Sequence, residues 1–228
     1  MPDFNDTGFV LACRRHGESG IILSVFTQNH GRHLGLIRSK IIPQPGTFVH
    51  VKWHARLAEH LGNYTCETVN AFSIRYLEDA PRLAALSTLC QLLDESLPER
   101  EALPDFFNQL LAFLDQMDEK DWLAAYVRFE ARLLSVLGFG MDLTKCAGGG
   151  DPNDLAYVSP KTARAVSREK GDPYREKLLS LPAFLYKDVP ATPQDIQNGL
   201  LLTGYFLSTH VRKMPGMRQT LLKAVVSE

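Results

Sequence analysis

"TFVHVKWHAR", residues 47–56, is the stretch whose reading decides how this chain folds. Val49, Val51, Trp53 and Ala55 alternate with His50, Lys52, His54 and Arg56. A period of two belongs to a β-strand, so one face is apolar and looks into a core while the other carries cationic groups. The segments around it have the same character. "GIILSVFT" (20–27), "HLGLIR" (33–38) and "YTCETVNAFSI" (64–74) are rich in β-branched and aromatic residues, and "FVLACRR" (9–15) adds a fifth run. Turn signals separate them, "NHG" at 29–31, "PQPG" at 43–46 and "GN" at 62–63. Five short strands at this spacing read as a small barrel or sandwich.

After "EDAP" at 78–81 the period becomes helical. Leu83, Leu86, Leu89, Cys90, Leu93 and Leu97 form one apolar stripe, Phe106, Leu110, Phe113, Leu114 and Met117 a second, and Trp122, Tyr126, Phe129, Leu133 and Leu137 a third. "LPERE" and "MDEKD" separate these helices, and Gly138 with Gly140 ends the last of them. Residues 141–192 read as an insertion. It has a loop at "CAGGGDPND", a hairpin around "SPKT" in "LAYVSPKTARAVSRE", and one short helix with its continuation in "PYREKLLSLPAFLY". Thr192, Pro193 and Asp195 form the start signal of a helix running to about Val211, and a last helix covers roughly 215–226. The expectation is an α+β protein: a β-barrel in 1–78 and a helical domain in 79–228, with the insertion at about 141–192.

At 228 residues, with 45% hydrophobic and 22% charged residues, the chain has enough apolar surface to build a packed core in each part. No run reaches the 18 or so apolar residues of a membrane span, "GLLLTGYFL" at 199–207 being the nearest, and the first residues do not read as a secretion signal. A cytoplasmic protein without a membrane role is expected. Cys13, Cys66, Cys90 and Cys146 are scattered and form no C-x-x-C pair, so they read as small buried apolar groups rather than a disulfide framework. The overall charge is −1, but it is unevenly spread: +2 over 1–78, −6 over 79–140 and +3 over 141–228. Within 14–56 there are seven basic residues against one acid, Glu18, and five of the seven histidines. That local excess marks a positive surface and directs attention to anionic partners.

The catalytic patterns are weak. His30 and His33 lack a third ligand at metal spacing and read as solvent-facing or groove-lining. "AGGGD" at 147–151 has no preceding strand and no following Lys-Ser/Thr, as a phosphate loop requires. Ser159, Ser167 and Ser208 stand outside any nucleophile elbow, and the acids of the helical part fall on helix surfaces. The basic strands are different, because charge and geometry agree. Arg14, Arg15, Arg32, Arg38, Lys40, Lys52 and Arg56 belong to neighbouring segments of one barrel, where cations along a track suit phosphates. His50 and His54 are candidates for stacking on bases, while Trp53 is in phase with the core. A plainly solvated basic face is the alternative. In the helical part, "FLYKDV" and "GLLLTGYFLSTHVRK" join aromatics to Lys187, Arg212 and Lys213, a pattern that fits either helix packing or a groove for an acidic, apolar-ended peptide.

Taken in order, "GFVLACRRHGESGIILSVFTQNHGRHLGLIR", "QPGTFVHVKWHARLAEHLGNYTCE", "LPERE", "RFEARLLSVLGFGMDLTKCA" and "LAYVSPKTARAVSRE" resemble the RecO family of bacterial DNA-repair and recombination mediators over nearly the whole chain. The resemblance implies an N-terminal OB-fold and a C-terminal helical domain, with no enzyme activity and no cofactor. It implies binding of single- and double-stranded DNA, annealing of complementary strands, and work with RecR and RecF in the DNA-damage (SOS) response. It further implies help to RecA in replacing single-strand-binding protein, whose acidic C-terminal tail is contacted by the helical domain. Many relatives carry a four-cysteine zinc site; here Cys146 keeps the first position, while Gly149, Ser167 and Lys170 occupy the others, so the insertion is expected to fold without metal. The seven cations named above are the expected DNA contacts. Two further readings stay open: an adaptor whose basic barrel grips an acidic protein, and a nuclease, for which the sequence supplies no carboxylate cluster.

Overall fold

A computed structural model describes residues 2–17, 20–39, 41–211 and 214–226. Five strands, β1 (Asp3–His16), β2 (Gly20–Thr27), β3 (Gly31–Ile37), β4 (Thr47–His54) and β5 (Asn63–Ala71), close into a barrel in the order β1-β2-β3-β5-β4. Neighbours are antiparallel except β3 and β5, which meet in parallel where Leu36 lies beside Asn63. The β3–β5 seam is this single pair, so the barrel closes there at one point while the other seams are continuous ladders. The first strand is longer than its apolar run, because its polar start, from Asp3, pairs with β4 while its second half pairs with β2. A bulge between Val10 and Ala12 lets one strand serve both neighbours.

Val10, Leu23, Val25, Ile37, Val49, Val51, Trp53 and Tyr64 fill the barrel. The opposite faces of β1 and β2 are not left to solvent. Gly8–Leu11 and Leu23–Thr27 are buried at every position, which a strand achieves only when both its faces are covered. The cover comes from α1 (Phe72–Arg75), α2 (Ala80–Ser96) and the start of α3 (Pro104–Gln116). Phe9 packs edge-on to Phe72 at 6.3 Å, and Phe26 meets Phe107 at 5.3 Å and Phe106 at 6.0 Å. By internal packing the chain divides into two compact units, 1–109 with 215–220 and 110–214 with 221–228.

In the second unit α4 (Trp122–Val136) packs against α6 (Pro193–His210), closely enough that a Cβ on Gly199 would lie 2.7 Å from Val127 Cγ1. Between them in sequence lie the strands β6 (Leu155–Val158), β7 (Ala165–Ser167) and β8 (Leu179–Ser180), a small sheet in the order β7-β6-β8, and the one-turn helix α5 (Arg168–Gly171). The hairpin around "SPKT" is present, but "PYREKLLSLPAFLY" does not form the expected short helix with its continuation. It is a 3₁₀ turn at Asp172–Lys177, then β8, then a second 3₁₀ turn at Ala183–Leu185. Pro173 and Pro182 lack the N–H a continuing helix needs, and Leu179–Ser180 pairs with Val158 and Tyr157 instead. The start of α6 follows the sequence signal: Thr192 Oγ1 accepts from the Asp195 N–H, and the Asp195 carboxylate accepts from the Thr192 N–H at 3.0 Å. A last helix, α7, covers Arg218–Val226. No helix of the described residues is long and apolar enough to cross a membrane.

Candidate nucleic-acid interface

β4 places its side chains as the alternation dictates. Val49, Val51 and Trp53 point inward, and the Trp53 indole N–H is satisfied by the carbonyls of Leu34 and Leu61, each at 3.1 Å. His50, Lys52 and His54 are exposed on the outer face. Register sets their neighbours: Thr7 and Glu67 flank His50, Asn5 and Thr65 flank Lys52, and Asp3 and Asn63 flank His54. Two shallow grooves cross this surface. One of about 590 Å³ includes Asn5, Gln28, Asn29, His50 and Lys52, and another of about 460 Å³ includes Arg38, His54 and Asn63. They share Thr65 and Cys66, so together they trace a path across β5.

The seven cations divide. Arg15 lies opposite Ile21 on β2, and Ile21 lies opposite Ile37 on β3, which puts Arg15 and Arg38 at the same end of the barrel, about 10 Å apart across two strand spacings. Arg38 and His54 line one groove, and Arg56 follows just beyond the end of β4. Arg15, Arg38, Lys52 and Arg56 are all exposed. Arg14, which is also exposed, and Arg32, which is half-buried, lie on the face covered by α2. Both reach Asp94, whose side chain is 4% exposed: Arg14 pairs with Oδ2, and an Arg32 terminal nitrogen lies 3.7 Å from Oδ1. Arg32 also donates from Nε to the Leu97 carbonyl at 2.8 Å and faces Glu99 at 3.4 Å. Lys40 lies outside the described residues.

Acids share this surface with the cations, Asp3 opposite His54 among them. Glu67 stands in the first groove as an exposed carboxylate. Asp6 is held by His30 Nδ1 at 2.8 Å and by the N–H groups of Asn29 and Thr7, both at 2.9 Å. Burial alone would raise its pKa, but these hydrogen bonds outweigh burial and hold the carboxyl below its ordinary value. His30 stacks on Phe4 at 3.9 Å and keeps 40% of its side chain exposed, beside the groove residues Asp6 and Asn29. His33 does not: it is 5% exposed and packs edge-on to Trp53 at 4.6 Å, and burial, its largest influence, lowers its pKa. The reason is phase, since His33 shares the inward side of β3 with Gly35 and Ile37.

Two residues that the sequence reading passed over hold parts of the barrel in place. Asp94 sits four residues after Cys90 and three before Leu97, in phase with an apolar helical stripe, and a charge in that phase is a readable sign of a buried ion pair. Arg100, in "LPERE", donates to the carbonyls of Ala58 (2.6 Å), Glu59 (3.2 Å) and His60 (3.0 Å), clasping the loop that joins β4 to β5. Its own N–H bonds the Arg32 carbonyl at 2.8 Å. Nothing local in the sequence announces that clasp.

The four positions aligned with the cysteine set come together in the second unit. The Cys146 thiol donates to Ser167 Oγ at 3.4 Å and accepts from the Ser167 N–H at 3.2 Å, and the Lys170 side chain lies over Gly148 and Gly150. One thiol, a hydroxyl, a glycine and an ammonium do not make a zinc ligand set. Burial would raise the Cys146 pKa, yet hydrogen bonds from Ser167 and from the Gly150 and Gly148 N–H groups bring it down to about 7. Among the described residues no group of three or more His, Cys, Asp or Glu side chains is arranged to hold a metal ion.

A closed five-stranded barrel in this strand order, exposing a strip of cations and imidazoles beside a polar groove, defines an OB-fold protein with a helical second part. Residues 1–72 match the family model described as Recombination protein O N terminal, and residues 77–218 match Recombination protein O C terminal. The protein named DNA repair protein RecO in Rhodospirillum rubrum is 43% identical over 242 aligned residues, covering 98% of this chain and 96% of that one. Its namesake in Jannaschia sp. (strain CCS1) is 41% identical, covering 98% and 96%, and that in Mesorhizobium japonicum is 41% identical, covering 95% and 89%. The chain belongs to the RecO family, a family of DNA repair and recombination.

Proposed function

We propose that this protein is a non-enzymatic recombination mediator that binds single- and double-stranded DNA on the outer face of its barrel. The observation that carries this reading is the exposed strip of His50, Lys52 and His54 on β4, continued by Arg38 and Arg56 and crossed by grooves rich in amide and hydroxyl groups. Lysines and arginines neutralise phosphates and release counterions, while imidazole rings stack on bases without selecting a sequence. A surface that neutralises two backbones lowers the repulsion between complementary strands, and annealing follows from that. The wider role, loading RecA onto gaps coated by single-strand-binding protein in company with RecR and RecF, rests on family membership. So do contact between the helical part (79–228) and the acidic tail of single-strand-binding protein, a division of labour with the barrel (1–78), and a cytoplasmic, nucleoid-associated location. Fluorescence anisotropy with a labelled single-stranded oligonucleotide across a salt series tests direct binding. Tight, salt-sensitive binding that weakens in an Arg38/Lys52/Arg56 charge-removal variant supports the mediator. Absence of binding at low salt, with retained capture of an acidic protein, makes the barrel an adaptor.

A further inference from the structure

A third groove, of about 380 Å³, lies wholly within the second unit. Three pieces of chain build it: the Gly138–Gly140 turn that ends α4, the Pro160–Ala163 turn between β6 and β7, and the last two turns of α6 with Tyr205, Thr209 and His210. Two large aromatic residues are left open there, Phe139 at 41% and Tyr205 at 42% exposure. Phe139 is stacked on the exposed ring of His210, with centroids 3.6 Å apart and planes within 5°.

The backbone fixes this platform in place. α4 closes with Gly138 at φ +85°, the Gly138 N–H bonding the Ser135 carbonyl and the Phe139 N–H bonding Leu134 at 2.8 Å. In such a helix end the residue at the Phe139 position ordinarily packs back onto its own helix. Here its ring is presented outward instead, against His210. The facing turn is held as firmly: Ala163 adopts φ +53°, its N–H bonds the Ser159 carbonyl, and its carbonyl accepts from the Asp142 N–H, both at 2.9 Å.

The charge of the lining is one-sided. Among the described residues no carboxylate lines the groove, whereas Lys161 does, and the exposed Arg164 follows in the same turn. The nearest acid in sequence, Asp142, is turned to Thr144, accepting from its hydroxyl at 2.6 Å and from its N–H at 3.2 Å. Flat open rings beside a lysine, with hydroxyl groups at the margin, suit a ligand that is itself flat and anionic.

We infer that this groove is a second single-strand contact, in which one or two nucleobases stack on Phe139 and Tyr205 while Lys161 meets the adjoining phosphate. The inference rests on the reading that this protein binds single-stranded DNA. Aromatic platforms of this kind hold bases irrespective of sequence, and a contact remote in sequence from the barrel lengthens the strand engaged by one protein molecule. An acidic peptide with an apolar end shares the charge requirement, but it has less need of an open pair of stacked rings.

The test uses the full chain and an oligothymidylate of about 20 nucleotides. Ultraviolet cross-linking with iododeoxyuridine in place of thymidine, mapped by mass spectrometry, is expected to label Phe139 or Tyr205 in the unaltered protein. Phe139→Ala with Tyr205→Ala is expected to weaken binding roughly tenfold while leaving the salt slope unchanged, because stacking displaces no counterions. Lys161→Gln is expected to lower that slope by about 0.7. Should the alanine variant unfold, the cross-link in the unaltered protein and the Lys161→Gln slope still decide the matter. If the Arg38/Lys52/Arg56 variant loses affinity while the groove variants do not and no cross-link maps to the groove, the barrel reading stands and this inference is overturned. If the groove variants lose affinity and the barrel variant does not, the groove is upheld and the barrel reading fails. Loss of binding to an acidic, apolar-ended peptide with oligothymidylate binding intact makes the groove a peptide site and also overturns the inference.

Discussion

Replacing Arg38, Lys52 and Arg56 together by glutamine removes three exposed cations of the barrel, and leaves untouched Arg14 and Arg32, which are engaged with Asp94. Each phosphate contact on a single strand contributes about 0.7 to the slope of log affinity against log salt, so the slope falls by about 2. Between 50 and 200 mM salt, a fourfold change, the unaltered protein then loses roughly 15–20 times more affinity than the variant does. Arg32→Gln is the paired control. Its side chain is 14% exposed and engaged with Asp94, Glu99 and the Leu97 carbonyl, so it is expected to lower the melting temperature and leave the slope alone. Anisotropy titrations at four or five salt concentrations, with thermal melts on the same samples, read both quantities. A triple variant with an unchanged slope, or an Arg32 variant with a flattened one, refutes the assignment of exposed and structural cations.

Four more outcomes are expected. Asp94→Ala removes the partner shared by Arg14 and Arg32, and is expected to cost about 2–3 kcal/mol in thermal or urea unfolding; the lower end applies because Arg14, 56% exposed, turns to water. Gly31→Ala is expected to cost at least about 2 kcal/mol: Gly31 sits at φ +68°, and a Cβ there falls 2.0 Å from the Glu101 carbonyl oxygen. Thr192→Ala breaks the reciprocal cap of α6 and is expected to destabilise by about 1 kcal/mol, read as a lower melting temperature. Iodoacetamide at neutral pH is expected to modify Cys146 first, since its pKa is held at about 7 while burial pushes Cys13 up to about 11 and Cys66 and Cys90 to about 12. Because the fold favours the Cys146 thiolate, its contribution to stability is complete above the ordinary thiol value of 9.0 and is lost as pH falls through about 7. Faster labelling at another cysteine, or a Cys146 rate still climbing well above pH 8, counts against that environment.

The barrel was legible because β4 has one wet face and one dry one, so the side-chain period shows in the residues themselves. β2 carries another message: Leu23–Thr27 is a run with hardly an alternating position, the mark of a strand covered on both sides. That run says a cover exists but not what the cover is. Sorting the arginines needed more than charge. Arg14 and Asp94 are 80 residues apart in the chain, and Arg32 and the Leu97 carbonyl 65, so composition counted all seven cations alike. Only the phase of Asp94 on its helix hinted that some were already engaged. The winding path from Asp172 to Leu185 was illegible for a further reason, since two prolines state where a helix stops and β6, which Leu179–Ser180 joins, lies some twenty residues earlier.

The doubly covered strands also set a timetable for the newborn chain. Phe9 and Phe26 leave the ribosome well before Phe106 and Phe107, the side chains that shield Phe26, and before Arg100 can fasten the loop after β4. At 5–20 residues per second the stretch from 78 to 107 takes roughly 2–6 s to make. During that interval a barrel that has already closed shows a naked aromatic flank to the cell. A chain halted at residue 78 never leaves that state, and is expected to be sticky and to need a chaperone, however well its strands pair.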